Sequence, residues 1–216
     1  MSSSTEGPVY PVAETFTSVQ GEGTHTGTLM TFVRMVGCSV GKLVCNACDT
    51  DFDKSYPWRG GGMFHAEAIA RSVRGHHVCL TGGEPLNQPL ERLIRVLCEA
   101  EKSVHVETSG TVLPPYIDML DRFVWITVSP KPGYLREMID CADEIKVIVP
   151  GLGTGVGWPG LEQAKAWAAE GKTVYLQPRN SRNTVDAGNL QLVLQLIDEN
   201  PELRLSAQLH KYINVR

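Results

Sequence analysis

The chain has 216 residues, 42% hydrophobic and 20% charged, a size and balance that suit one soluble domain with its own core. Its 20 Lys+Arg against 24 Asp+Glu give a net charge of −4, which offers no electrostatic footprint for nucleic acid or an anionic membrane. No apolar run approaches the roughly 18 residues needed to span a bilayer, and Met1 to Gly7 lacks the basic start and apolar stretch of a signal peptide. The expectation is a single domain over 1–216, with a flexible N-terminus over 1–10, in the cytoplasm.

In chain order, the first predicted strand is Leu29–Val36. A helix over Ala66–Arg74, a strand over His77–Thr81 and a helix over Pro89–Glu101 follow. Next come a strand at Ser103–Glu107, a helix at Tyr116–Asp121 and a strand at Phe123–Val128. Tyr134–Ile139 allows about one helical turn before the strand Glu144–Val149. The series ends with a helix at Leu161–Glu170, a strand at Thr173–Gln177 and a helix at Ala187–Glu199. Strands rich in Val and Ile that alternate with helices predict βαβ units and a parallel sheet. About six units are too few for a closed eight-unit barrel. The predicted fold is therefore α/β, a partial, open (β/α) barrel; a doubly wound sheet shares its periodicity. In either architecture the active site lies at the C-terminal ends of the strands.

Two loops are rich in glycine, Arg59–Met63 and Gly151–Gly160. The second does not fit a dinucleotide fingerprint, because Val156 stands where the last glycine should be and Trp158-Pro159 interrupts the helix start. It reads as a plain loop.

Cys38, Cys45 and Cys48 fall within eleven residues. In a reducing compartment such a cluster points to metal binding or catalysis rather than to disulfides. Cys79, Cys98 and Cys141 are widely spaced in apolar segments and read as small buried hydrophobes. Structural zinc normally takes four protein ligands, so three thiolates leave one coordination position open for chemistry. A four-iron cluster on three cysteines likewise has one iron free. A non-catalytic zinc scaffold stays open at this point, with His25, His65 or Asp49 as its fourth ligand. The second strand runs directly into Thr81-Gly82-Gly83-Glu84-Pro85, whose glycines allow a ligand to approach the backbone.

A three-cysteine loop after one strand and Gly-Gly-Glu-Pro after the next resemble the radical S-adenosylmethionine enzymes. That resemblance implies a [4Fe–4S] cluster on Cys38, Cys45 and Cys48, with S-adenosylmethionine chelating the fourth iron. It also implies a 5′-deoxyadenosyl radical that abstracts a substrate hydrogen. The usual spacing is Cys-x3-Cys-x2-Cys, whereas this chain has Cys-x6-Cys-x2-Cys; a longer loop costs little in closure entropy.

The remaining motifs narrow the family. Residues Glu14 to Gly23 read Glu-Thr-Phe-Thr-Ser-Val-Gln-Gly-Glu-Gly, and Phe32-Val33-Arg34, Gly37-Cys38 and Cys48-Asp49-Thr50 follow. Then come Glu107-Thr108-Ser109-Gly110, Val128-Ser129-Pro130-Lys131, Glu144-Ile145-Lys146 and Gln177-Pro178, and the chain closes on His210 to Arg216. This ordered series resembles the 7-carboxy-7-deazaguanine synthase family, some of whose members have an enlarged first cysteine gap. Another small radical S-adenosylmethionine enzyme, such as a glycyl-radical activase, is the alternative within the superfamily. It lacks a reason for Gln20-Gly21-Glu22-Gly23 ahead of Arg34.

The resemblance implies conversion of 6-carboxy-5,6,7,8-tetrahydropterin to 7-carboxy-7-deazaguanine and ammonia, by hydrogen abstraction at C6 and ring contraction, on the way to queuosine and related 7-deazapurines. It implies Mg²⁺ held through Thr50, an external flavodoxin-like one-electron reductant and a homodimer. Cofactor contacts would come from Ala47, Asp49, Gly83, Ser129, Pro130, Lys131, Gln177, Pro178, Arg179 and Asn180. Arg179 and Asn180 depart from the family's residues there, so backbone contacts are what carry over. Substrate contacts would come from Val19, Gln20, Gly21, Arg34, Thr81 and the terminal Arg216. An amide at Gln20 suits a pterin's donor and acceptor edge, and the Arg34 guanidinium suits a carboxylate. No protein acid or base is assigned, and Glu22 and Glu107 are only plausible polar residues of the site.

Overall fold

The computed structural model describes residues 7–41, 45, 56–150, 157–180 and 184–215. Among the described residues nine strands make one sheet: β1 (Val9–Val19), β2 (Leu29–Met35), β3 (Gly62–His65), β4 (His77–Gly82), β5 (Ser103–Thr108), β6 (Val124–Val128), β7 (Glu144–Val149), β8 (Val174–Pro178) and β9 (Arg204–Leu205). Their order is β3-β1-β2-β4-β5-β6-β7-β8-β9. From β2 to β9 all neighbours are parallel. β1 is antiparallel to both β2 and β3. The outermost strands β3 and β9 do not pair with each other, so the sheet is an open, partial barrel of the kind the six predicted units imply.

Seven α-helices among the described residues connect or flank the strands: α1 (Ala66–Ser72), α2 (Glu91–Glu99), α3 (Ile117–Phe123), α4 (Arg136–Asp140), α5 (Leu161–Ala169), α6 (Ala187–Glu199) and α7 (Leu209–Tyr212). The six predicted strands are β2 and β4 to β8. Two stretches differ from the sequence reading. β1 begins at Val9, inside the stretch expected to be flexible, and Tyr10 is fully buried there. Phe123 ends α3 rather than opening a strand. Met63 and Gly62 of one Gly-rich loop pair in β3, whereas 151–156 of the other lie outside the described residues. No helix among the described residues is long and apolar enough to cross a membrane.

Alternation along each strand divides the sheet into two unlike faces. Val33, Leu80, Val106, Ile126, Val147 and Leu176 belong to the main core, together with Leu93, Ile94 and Leu97 of α2 and Trp167 of α5. This outer face is aliphatic and covered by helices, each fully buried large side chain contributing about 1.5–3 kcal/mol. Tyr134 meets Trp167 edge-on at 5.6 Å between ring centroids. The opposite, concave face carries a small apolar patch of Met30, Phe32, Cys79 and Phe16. Elsewhere its strand positions are mostly polar, with Trp125, Ile148 and Tyr175 interspersed.

Candidate active site

The main cavity opens on the concave face towards the C-terminal ends of β2 and β4 to β8. It brings together Val19, Gln20, Gly21, Arg34, Cys38, Cys45, Thr81, Gly83, Ser129, Lys131, Gln177, Pro178, Arg179 and Asn180. Pro130 is buried in the turn between Ser129 and Lys131 without lining the cavity. Ala47, Cys48, Asp49, Thr50 and Arg216 lie outside the described residues.

The cysteine loop and the Gly-Gly-Glu-Pro loop meet at the rim. The Glu84 N–H donates to the Gly37 carbonyl at 3.0 Å and the Gly83 N–H to that of Met35 at 3.3 Å. A Cβ added at Gly83 would lie 1.8 Å from the Gly37 oxygen and 3.1 Å from the Cys38 Cβ, so only glycine permits this approach. Glu84 itself is fully buried and does not line the cavity. It accepts from the Thr108 hydroxyl (2.7 Å), the Ser109 N–H (2.8 Å) and the Leu86 N–H (3.1 Å), as well as from the Ser109 hydroxyl. Its carboxylate thereby ties the end of β4 to the end of β5. The next turn is closed by the Lys131 ammonium, which donates to the Ser129 carbonyl at 2.7 Å and its hydroxyl at 2.8 Å.

At the β1–β2 wall, Glu14 grips Arg34 through Nε at 2.9 Å, and the guanidinium lies 5.4 Å from the Phe16 ring centroid. Such a pair orients the arginine while an aromatic face shields it. Across the floor runs a continuous polar network. Lys146 Nζ contacts Glu22 Oε2 at 2.5 Å and Glu107 Oε1 at 3.4 Å. The Gln20 amide donates to Glu107 Oε1 at 3.1 Å and the Thr81 hydroxyl to Glu107 Oε2 at 3.1 Å. The Gln208 amide donates to Glu22 Oε1 at 2.7 Å and accepts from Asn180 Nδ2 at 2.9 Å. Gln208 holds this place from a left-handed backbone conformation (φ 55°), uncommon for any residue but glycine. Burial would raise the Glu22 carboxyl, but the Lys146 charge and the bonds from Lys146 and Gln208 hold it well below the usual carboxylate range. Burial would strip the proton from Lys146, yet Glu107, Glu22 and Glu144 outweigh it and the ammonium is kept.

At the opposite end of the same face, near the starts of β4 and β5, three imidazoles gather. His77 Nδ1 and His105 Nε2 share a hydrogen bond of 3.1 Å, and the His25 ring stands edge-on to His105 and to Trp125, each at 4.5 Å between centroids. Burial, and then the neighbouring His25 and His77, push His105 down to about 3. Burial also lowers His77.

The sequence reading gave no role to Thr127, Lys146, Gln208, His210 or Lys211, all of which line the cavity. Strand alternation offered a signal for the first two: Lys146 stands between buried Ile145 and Val147, and Thr127 between Ile126 and Val128. Nothing local marks Gln208, and His210 and Lys211 stood only in the closing motif without a role; a contact distant in sequence brings all three in. The Leu209 N–H donates to the Gly21 carbonyl at 2.7 Å.

No family model matches the chain. It is 35% identical over 209 residues to the 7-carboxy-7-deazaguanine synthase of Bacteroides thetaiotaomicron, covering 95% of this chain and 98% of that one. The enzyme of the same name from Synechocystis is 32% identical over 96% of this chain and 94% of its own length. That from Bordetella pertussis is 33% identical over 95% and 99%. The chain belongs to the 7-carboxy-7-deazaguanine synthase family. The crystal structure of QueE from Escherichia coli superposes with a TM-score of 0.68 at 26% identity, over 94% of this chain and 95% of that one. Likeness over nearly full length removes the zinc scaffold and the glycyl-radical activase as readings, since it extends through every strand that frames the cavity. It also gives the 7-carboxy-7-deazaguanine synthase family a member whose first two cysteines are separated by six residues.

Proposed function

We propose that the chain is a radical S-adenosylmethionine lyase that converts 6-carboxy-5,6,7,8-tetrahydropterin to 7-carboxy-7-deazaguanine and ammonia, in the biosynthesis of queuosine and related 7-deazapurines. The observation that carries the reading is the single cavity in which Cys38 and Cys45 stand opposite a floor of carboxylates and amides. Both thiols are free of disulfides, and Gly83 packs against Gly37 beside Cys38, so the rim suits a thiolate-held cluster. Cys38, Cys45 and Cys48 would hold a [4Fe–4S] cluster, and Gly83 with the turn at Ser129, Pro130 and Lys131 and the segment Gln177 to Asn180 would hold S-adenosylmethionine. When bound, these groups supply the radical that takes the hydrogen at C6 of the pterin.

The chain's own residues bind and orient. Glu22, Glu107 and Gln20 offer acceptors and a donor to the N–H-rich pyrimidine edge of a pterin. Arg34, fixed by Glu14, suits the substrate carboxylate, and Thr81 and Val19 border the ring. Gly21 leaves room for α7: a Cβ there would come within 2.1 Å of His210 Nδ1. α7 docks there, the Leu209 N–H donating to the Gly21 carbonyl, and brings His210 and Lys211 to the floor. Thr50 would supply a hydroxyl to Mg²⁺, which completes its shell with water and substrate oxygens. A flavodoxin-like reductant, a homodimeric assembly and a cytoplasmic location complete the proposal.

Anaerobic reconstitution tests it. About four irons with sulfide, a brown colour and the absorbance of 7-carboxy-7-deazaguanine from the carboxylated pterin are expected, with turnover lost on chelation and restored by Mg²⁺. One zinc, no colour and no product would overturn the reading.

A further inference from the structure

We infer that Lys146 is a positioning residue that keeps Glu22 ionised and holds it beside Glu107, so that the two meet the substrate as hydrogen-bond acceptors. The inference rests on the pterin reading of the cavity and assigns a residue that reading leaves without a role. Lys146 is 4% exposed and sits inside β7, where Ile145 and Val147 face the aliphatic core and force it onto the concave face. There it meets carboxylates from two separate elements, the loop after β1 and the end of β5.

Two carboxylates in one buried site cannot both stay charged without a cation; one takes up a proton. A protonated carboxyl donates where the pterin's amino and ring N–H groups need an acceptor. Glu22 Oε2, Glu22 Oε1 and Glu107 Oε2 each accept one internal bond, from Lys146, Gln208 and Thr81, and a second lone pair remains on each for a ligand, whereas Glu107 Oε1 already accepts from both Gln20 and Lys146. The other titratable groups around this centre do not replace Lys146. Glu144, two residues earlier on β7, is engaged by the Thr24 N–H at 2.7 Å and the Thr127 hydroxyl at 2.9 Å. Arg34 on β2 is paired with Glu14. Cys79 on β4 is buried and held as the neutral thiol, first by desolvation and then by the Glu107 charge. Tyr175 on β8 is hydrogen-bonded to Thr24. His210 on α7 adds only a weaker pull on Glu22.

The test is the dissociation constant of 6-carboxytetrahydropterin from the reconstituted enzyme without reductant, so that nothing turns over, between pH 8 and pH 6. The wild-type constant should stay flat across that range. Lys146→Met should bind about tenfold more weakly at pH 8 and weaken about another tenfold by pH 6, as the buried, unpaired Glu22 carboxylate takes up a proton. Lys146→Arg keeps the charge and should restore the flat profile. If Lys146→Met does not fold, the double variant Glu107→Gln with Lys146→Met relieves the like-charge pair, and Glu22, its burial no longer offset by Lys146, should still impose a slope. A flat profile in the folded variant, even with uniformly weaker binding, would overturn the positioning role while leaving the functional reading intact. Absence of pterin binding by the wild-type enzyme would overturn both.

Discussion

The two faces of the same strands obey different rules, although they are separated by a single residue step. Leu80 and Thr81 are neighbours on β4, as are Val106 and Glu107 on β5 and Lys146 and Val147 on β7. Leu80, Val106 and Val147, the first set, are packed under helices, where shape and apolar area decide the outcome. The second lines a cavity, where every buried polar group needs a partner. Within the concave face burial has two solutions. Near the cavity, charges are kept and compensated, as in Lys146 with Glu22 and Glu107. At the far end the imidazoles of His77 and His105 are held neutral instead.

The largest expected break between the faces concerns the thiols. Cys38→Ala or Cys45→Ala should abolish reductive cleavage of S-adenosylmethionine while leaving the apoprotein's melting temperature unchanged. Cys98→Ala, behind the sheet on α2, should leave cleavage intact. Anaerobic chromatographic assay of 5′-deoxyadenosine separates the two, and full cleavage in either rim variant would show that the cluster lies elsewhere. Next in size is the outer face itself. Leu80→Ala should cost about 2–5 kcal/mol of unfolding free energy through the cavity it leaves. Thr81→Val, one residue on, should cost less than about 1.5 kcal/mol but weaken the pterin, because Glu107 loses a donor. Denaturant midpoints and substrate KM together test the pair; a mirror-image result would mean that the faces are wrongly assigned.

The neutral end of the concave face predicts an acid sensitivity. His105 is pushed down to about 3 in the fold, whereas the unfolded imidazole titrates near its usual ~6.5. Below that value the unfolded chain takes up a proton that the folded one refuses. Stability is therefore full above about pH 6.5 and falls with decreasing pH towards 3, at up to about 1.4 kcal/mol per pH unit from this residue. His77, lowered as well, steepens the fall. His105→Leu should flatten the slope of unfolding free energy measured between pH 6.5 and 4.5. An unchanged slope would place the acid sensitivity in other groups.

These contrasts also explain what the sequence made legible. The six parallel strands carry enough Val, Ile and Leu to stand out, because one face of each is core. β1 escaped notice because Glu14, Thr15, Thr17 and Ser18 break any apolar pattern, and its pairing with β2 and β3 is a property of the assembled sheet. β3 and β9 are too short, at four and two residues, to mark themselves. In the site, motifs at strand ends were visible because glycine, cysteine and proline are unusual there. Alternation marked the face of Lys146 and Thr127, and Lys146 closes the Glu144-Ile145-Lys146 motif, but Trp125, Ile148 and Tyr175 on the same concave face left neither with a role. Gln208 and His210 reach the cavity only through the docking of α7 on Gly21.

The smallest effect tests how far the two faces are coupled at the start of α6, which packs behind β8. Asp186 caps that helix by accepting from the Asn189 N–H at 2.8 Å. Its own N–H donates to Asn180 Oδ1 at 2.8 Å, and Asn180 leads through Gln208 to Glu22 on the cavity floor. Asp186→Ala removes the cap and should cost about 1 kcal/mol of stability. The bond to Asn180 comes from the backbone and survives the substitution, so the pterin KM should move less than about twofold. A larger change in KM would mean that the helix terminus and the floor respond as one unit. A change confined to stability would mean that the outer layer supports the site without tuning it.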